Sequence, residues 1–367
     1  MILMNDFKSE PPELRKSMLT AVRRVLESGW YVLGTEVIEF EKQWAGTCGT
    51  AYGVGVGNGM DAIEIAMRAL DIGPGDEVIT TPMTAFATVL AIYRARATPV
   101  LADIDLDTGL LSSESAKRCL TSRTKAVVLV HLYGQIRAMD AWQCFCREHG
   151  LVFIEDCAQA HLATWRGKGA GSFGDAGAYS FYPTKNLGAI GDAGMLVSND
   201  AAVAKRAGQL RNYGQESRYR HPELGMNSRL DEVHAAMLKE RLRYLPQFTQ
   251  RRREIARSYN EGICNPLIGQ LAQPEDAGAH VYHLYAVTCK YRNELQKHLE
   301  ANGVQSLIHY PIPVHQQEPC RNIARDPAGL SSSEQHAANC LSLPCHPQMT
   351  DADIQRVISA ANAFKGC

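Results

Sequence analysis

The sequence predicts an α/β fold: a mostly parallel sheet with helices on both faces, followed by a smaller α/β unit. Three observations carry that expectation. Strand and helix patterns alternate through the first two thirds of the chain. The strands read as near-continuous apolar runs, the pattern of strands buried on both faces. The texture then changes near residue 245, where a long helical stretch leads into shorter elements.

The elements follow in order. "YGVGVGNG" is a strand running into Gly57, Asn58 and Gly59, and "MDAIEIAMRAL" (60 to 70) carries apolar residues at helical spacing. "DEVITT" (76 to 81) reads as a strand, "FATVLAIYRA" as a helix and "TPVLADID" as a strand ending in acids. "KAVVLVHLYG" (125 to 134) and "LVFIED" (151 to 156) are buried strands around the helix "DAWQCFCREHG", which Gly150 closes. "GAYSF" is a further strand. After it all, "RRREIARSYNEGI" is a helix, with the Arg251–Arg252–Arg253 triplet read as a solvated face. "HVYHLYAVTC" and "VQSLIHYPIP" read as strands, and "NELQKHLEANG" as a helix capped by Gly303. "TDADIQRVISAANAF" is a helix opened by a capping box of Thr350 and Asp353. The expected division is a large unit over 20–245 and a small one over 246–367, with roughly residues 1–19 packed on the latter.

Bulk composition excludes several classes. With 367 residues, 45% apolar and 21% charged, the chain can bury a sizeable core without staples. A net charge of −1 gives no reason to expect nucleic acid or anionic membrane as partner. The N-terminal stretch lacks the pattern of a secretory signal, and no apolar run reaches membrane-span length. The 11 cysteines are scattered without zinc spacing, so no metal site is expected. Reduced thiols fit a cytoplasmic protein.

Three constellations could carry chemistry, each just past a buried strand, where open α/β sheets gather ligands. Gly57–Asn58–Gly59 opens a helix, whose N-terminus offers unpaired N–H groups to an anion. It is no dinucleotide fingerprint, because Met60 stands where glycine is needed, and no Walker loop, because the Lys–Ser/Thr close is missing. "LVFIEDCAQAH" delivers Glu155 and Asp156 to a strand end, then Gln159 and His161. "SFYPTKN" places Lys185 behind Ser180 and aromatic residues. A lysine desolvated in this way has a lowered pKa and can attack an aldehyde as an amine. A pyridoxal phosphate site needs a lysine for the aldehyde, a carboxylate for the pyridine nitrogen and an anion cradle. All three are here.

The chain resembles the DegT/StrS-type nucleotide-sugar aminotransferases, which have the PLP-dependent transferase fold type I of aspartate aminotransferase. The resemblance covers nearly the whole chain. It rests on "SGWYVLGTEVIEFE", "GVGNGMDAIEIAMRAL", "IEDCAQAH", "GSFGDAGAYSFYPTKNLGAIGDAG", "LRNYGQ", "GMNSRLDEVHAAML" and "IHYPIPVHQQ". It implies that Lys185 holds pyridoxal 5′-phosphate covalently and then moves the proton. Pyridoxamine phosphate forms between the two halves of the reaction. Asp156 pairs with the pyridine nitrogen, and Gln159 bonds the phenolic oxygen side. Ser180 and the amides of Gly59 and Met60 bind phosphate, and Asn227 reaches it from a neighbouring subunit, which implies a homodimer with shared sites. Trp30, Tyr31, His161, Arg229, His309, Tyr310 and His315 are the implied substrate contacts.

Three positions depart from the family pattern. Met60 replaces a threonine, Leu162 replaces a glycine, and Ala85 stands where the ring that stacks on the pyridine belongs, with Phe86 one residue later. Phe86 is the expected substitute. The "SGWYVLG", "HLYGQ" and "SFYPTKNLGA" details are most similar to members that aminate C3 of dTDP-3-keto-6-deoxyhexoses, with L-glutamate as donor. The alternatives are a C4 aminotransferase on a dTDP- or UDP-4-keto sugar and a non-catalytic regulator that keeps the fold. Relatives with histidine for the lysine dehydrate their sugar, which Lys185 argues against.

Overall fold

The computed structural model describes residues 1–366. Its main sheet has eight strands: β1 (Tyr52–Val56), β2 (Glu77–Thr80), β3 (Thr98–Leu101), β4 (Thr124–Val130), β5 (Val152–Asp156), β8 (Ala176–Ser180), β9 (Gly194–Ser198) and β12 (Ala324–Arg325). A two-stranded ribbon, β6 (Thr164–Trp165) with β7 (Lys168–Gly169), intervenes. The order across the main sheet is β1-β9-β8-β5-β4-β2-β3-β12. The run from β8 to β12 is parallel, and β9 is antiparallel to both β8 and β1. A second sheet joins β10 (Gly269–Gln270), β11 (Tyr285–Thr288) and β13 (Cys340–Leu343).

The period-two alternation of β4 sorts its side chains onto opposite faces. Ala126 and Val128 join Ile154 in an apolar layer with Ile63, Met67 and Ile92, from the helices Gly59–Ala69 and Phe86–Arg94. Val127 and Leu129 join Phe153 in the opposite layer with Phe40, Trp44 and Trp142. Burying both faces explains the unbroken apolar runs. Each such aliphatic side chain contributes about 1.5–3 kcal/mol relative to exposure.

Two expectations need correction. "VQSLIHYPIP" forms no strand; Leu307 makes one isolated bridge to Ser342 before Pro311 and Pro313 remove further donors. The arginine triplet is not a solvated face. Arg252 is buried and bonds the carbonyls of Tyr282 (3.3 Å) and Cys345, and Arg253 bonds those of Gly278 (3.1 Å) and His280 (3.0 Å). Arg251 pairs with Asp351 at 2.7 Å. These guanidinium forks tie the helix Leu245–Gly262 to loops whose carbonyls lack ladder partners. The N-terminus divides its contacts. Ile2 bridges Val304, whereas the helix Pro12–Ser28 packs Leu14 and Met18 on Met237 of the helix Glu232–Leu242. The main sheet also takes β12 from the C-terminal part of the chain, paired with β3.

Candidate active site

The C-terminal ends of β4, β5 and β8 lie side by side, Val130 opposite Asp156 and Asp156 opposite Ala178. Parallel strands thus bring Asp156 and Ser180 to one edge. Asp156 is buried. One oxygen accepts from the Thr88 hydroxyl at 2.8 Å, the other from the Ala158 amide at 3.1 Å.

Ser180 ends β8 against the start of the helix Gly59–Ala69. A Cβ on Gly59 would stand 2.6 Å from that of Ser180, so only glycine lets the helix end approach so closely. Asn58 caps this helix, its side-chain oxygen accepting from Asp61 N at 2.9 Å. The Gly59 and Met60 amides have no intrahelical carbonyl to reach and remain for an anion. The Met60 side chain leans on the apolar layer instead.

Beyond Ser180 the chain folds into a tight loop. Lys185 N donates to Tyr182 O (2.8 Å) and Ala189 N to Phe181 O (2.8 Å). A Cβ on Gly188 would meet Pro183 O at 2.3 Å. The loop leaves Lys185 half-buried. Burial lowers its amine to about 8, against an opposing pull from Asp156. The same positive charge, added to burial, holds His309 down at about 4 and His283 well below its ordinary value.

Gln159 is buried between two partners: its oxygen accepts from the Tyr133 amide at 2.6 Å, and its amide donates to the Tyr310 hydroxyl at 3.3 Å. Burial and the charge of Asp156 push the Tyr310 hydroxyl up to about 12. The Tyr133 hydroxyl holds the His309 carbonyl at 2.6 Å. His309 Nδ1 is 3.0 Å from the Ser342 hydroxyl.

The remaining expected contacts are placed as follows. Trp30 and Tyr31 are exposed on a loop. The Glu232 carboxylate fixes the turn after it, accepting from the amides of Gly34 (2.8 Å), Glu36 (2.9 Å) and Val37 (3.0 Å). Asn227 is exposed, while its neighbour Ser228 accepts from Gly57 N at 2.9 Å. Arg229 lies over the Tyr213 ring, 5.5 Å from its centroid. His161 is fully buried and packs against Trp44, Tyr179 and Phe181. Burial and Lys185 keep it neutral, down to about 3. His315 is also buried and pairs with Glu334 at 2.9 Å. Phe86 opens its helix, and at 100° per residue it is turned about 200° from Thr88, which faces Asp156. Ala85, one residue earlier, is the N-cap of this helix, with extended backbone and no ring. Leu162 has φ 67°, a left-handed position that suits the glycine it replaces.

Several residues at this edge carried no readable signal. Thr88, Asn186 and Tyr133 are ordinary in sequence. Asn186 bonds Val281 O (3.2 Å) and, through its oxygen, His283 Nδ1 (3.2 Å), which ties the residue after Lys185 to the segment that leads into β11. Glu155 is a structural anchor. Its buried carboxylate accepts from the amides of Gly171 (2.9 Å), Phe173 (2.8 Å) and Gly174 (2.9 Å) and contacts His131 Nε2 (2.9 Å). With Cys157 these two form a potential metal-ligand cluster, but the amides already occupy the carboxylate.

A buried carboxylate, an anion cradle and a lysine of lowered pKa at one sheet edge define a lysine-dependent carbonyl site on an aminotransferase-like fold. The chain belongs to the DegT/DnrJ/EryC1/StrS aminotransferase family, whose pattern matches residues 12–362. It is 45% identical over 364 residues to the dTDP-3-amino-3,6-dideoxy-α-D-galactopyranose transaminase of Aneurinibacillus thermoaerophilus, covering 99% of both chains. To the dTDP-3-amino-3,4,6-trideoxy-α-D-glucose transaminase of Streptomyces venezuelae it is 42% identical, covering 98% of this chain and 95% of that one. The S. venezuelae DesV crystal structure, in complex with a ketimine intermediate, superposes with a TM-score of 0.95 at 41% identity, covering 98% and 97%. The protein is an aminotransferase, and its cofactor is pyridoxal phosphate. The residues present fit that group: the glycine-lined helix end suits a phosphate, and Asp156 a ring nitrogen.

Proposed function

We propose that the chain transfers an amino group from L-glutamate to C3 of a dTDP-linked 3-keto-6-deoxyhexose, making an aminodeoxysugar for a surface glycan such as an O-antigen. One observation carries the chemistry: Lys185, lowered to about 8, stands at the strand ends that also hold Asp156 and Ser180. The names of the relatives support C3 and dTDP. Bound here, pyridoxal phosphate supplies an aldehyde for the amino group and a protonated ring that withdraws electrons.

The chain's own groups do the rest. Ser180 and the Gly59 and Met60 amides hold the phosphate, Asp156 holds the ring proton, and Gln159 orients the ring's oxygen side. Lys185, its amine made less basic by burial, takes the proton from the carbon bearing the donor amine. It returns a proton to the acceptor carbon in the second half-reaction. His309 and Tyr310 orient the sugar, joined by Arg229 and by the Trp30–Tyr31 loop.

The active form is a homodimer in which Asn227 completes the partner's phosphate site. Tyr219 and Leu224, 82% and 88% exposed shortly before Asn227, support a contact beyond the single chain. The proposed units over 20–245 and 246–367 assign Lys185 to the first and His309 to the second. All ten described cysteines are free, and no described helix is long and apolar enough to cross a membrane, which supports a cytoplasmic site of action.

The test is incubation with glutamate and a panel of keto-sugar nucleotides, with the new amine located by NMR. Amination at C3 of a dTDP sugar is expected. Amination only at C4 would overturn the substrate reading.

A further inference from the structure

Two buried threonines lead to Asp156. Thr88, in the first turn of the helix Phe86–Arg94, is 1% exposed, and Thr84 is 4% exposed. Their hydroxyl oxygens are 2.7 Å apart, and Thr88 Oγ1 is 2.8 Å from Asp156 Oδ2. Although either hydroxyl could donate in the first bond, the second fixes the direction. A carboxylate oxygen only accepts, so Thr88 spends its proton on Asp156 and must accept from Thr84.

The chain is therefore polarised one way, Thr84 to Thr88 to Asp156. Each donation strengthens the next in so dry a place. The Ala158 amide holds the other oxygen. Together these donors engage one lone pair on each oxygen and restrain rotation of the carboxylate. The Thr88 bond also joins the first turn of the helix Phe86–Arg94 to the end of β5.

We propose that Thr88 is a positioning residue: backed by Thr84, it aims the Asp156 carboxylate at the ring nitrogen of the cofactor. This rests on the pyridoxal phosphate reading above. It assigns Thr88 no contact with substrate.

The test uses the full-length protein stripped of cofactor and titrated with pyridoxal phosphate, read by visible absorbance and tryptophan fluorescence. Thr88→Val keeps the shape and removes the hydroxyl, and Thr88→Ser keeps the hydroxyl. Thr88→Val should bind about tenfold more weakly, the loss of a hydrogen bond to a charged group, and its visible band should move to shorter wavelength. Thr88→Ser should restore both affinity and band position. Thr84→Val should show the same band shift to a smaller degree, and it serves if Thr88→Val fails to fold.

A valine variant with wild-type affinity and band overturns the proposal. So does a serine variant as damaged as the valine one, since the methyl packing would then be what matters. A wild-type protein that takes up no pyridoxal phosphate would overturn the underlying reading, and the proposal with it.

Discussion

At the scale of single residues the site depends on one half-buried amine. Burial lowers Lys185 to about 8, so its neutral form grows as pH rises through that value. Covalent capture of pyridoxal phosphate by the cofactor-free protein needs that neutral form. Its rate should climb between about pH 7 and 8.5 and then level off, measured by stopped-flow absorbance. A rate still climbing steeply beyond about pH 10 would match an ordinary lysine instead. The carboxylates beside it divide the labour. Asp156 and Glu155 are adjacent on β5 and project to opposite faces, so one serves the site and the other anchors the loop 171–174. Glu155→Ala strips three amides, two of them buried, of their acceptor. It should cost about 3 kcal/mol or more in urea denaturation, with m little changed.

At the scale of elements, the approach of the helix Gly59–Ala69 to β8 shapes the anion cradle. Gly59→Ala forces a Cβ to within 2.6 Å of Ser180 Cβ and should push the helix end away. Affinity for pyridoxal phosphate should fall about tenfold or more, while global unfolding shifts by less than about 2 kcal/mol. Equal affinity in a titration would contradict the cradle. These elements were legible because local pattern and tertiary role agree. β2 to β5 are apolar on both faces, and the Thr350–Asp353 capping box forms as the sequence indicates. The strand ends carrying Asp156 and Ser180 could be read from the same runs. Other parts could not. Arg252 looks solvated because sequence does not show which carbonyls lack partners. His161 follows a motif, yet the neighbouring core of Trp44 and Tyr179 encloses it. Thr88 and Tyr133 matter through contacts 68 and 26 residues away, which no local period encodes.

At the scale of the whole molecule, the proposed sharing of sites makes a sharp prediction. Lys185→Ala and Asn227→Ala should each be impaired alone. After mixing and subunit exchange, hybrid dimers regain one intact site if Asn227 acts across the interface, ~a quarter of all sites under random pairing. No recovery, with exchange verified by mass spectrometry, would place Asn227 in its own protomer's site. Lys185 remains the centre of the account, and the visible absorbance of the purified protein loaded with pyridoxal phosphate tests it most directly. Wild type should show a visible band that L-glutamate bleaches, and Lys185→Ala should show neither band nor turnover. A Lys185→Ala protein that still transaminates would contradict the account.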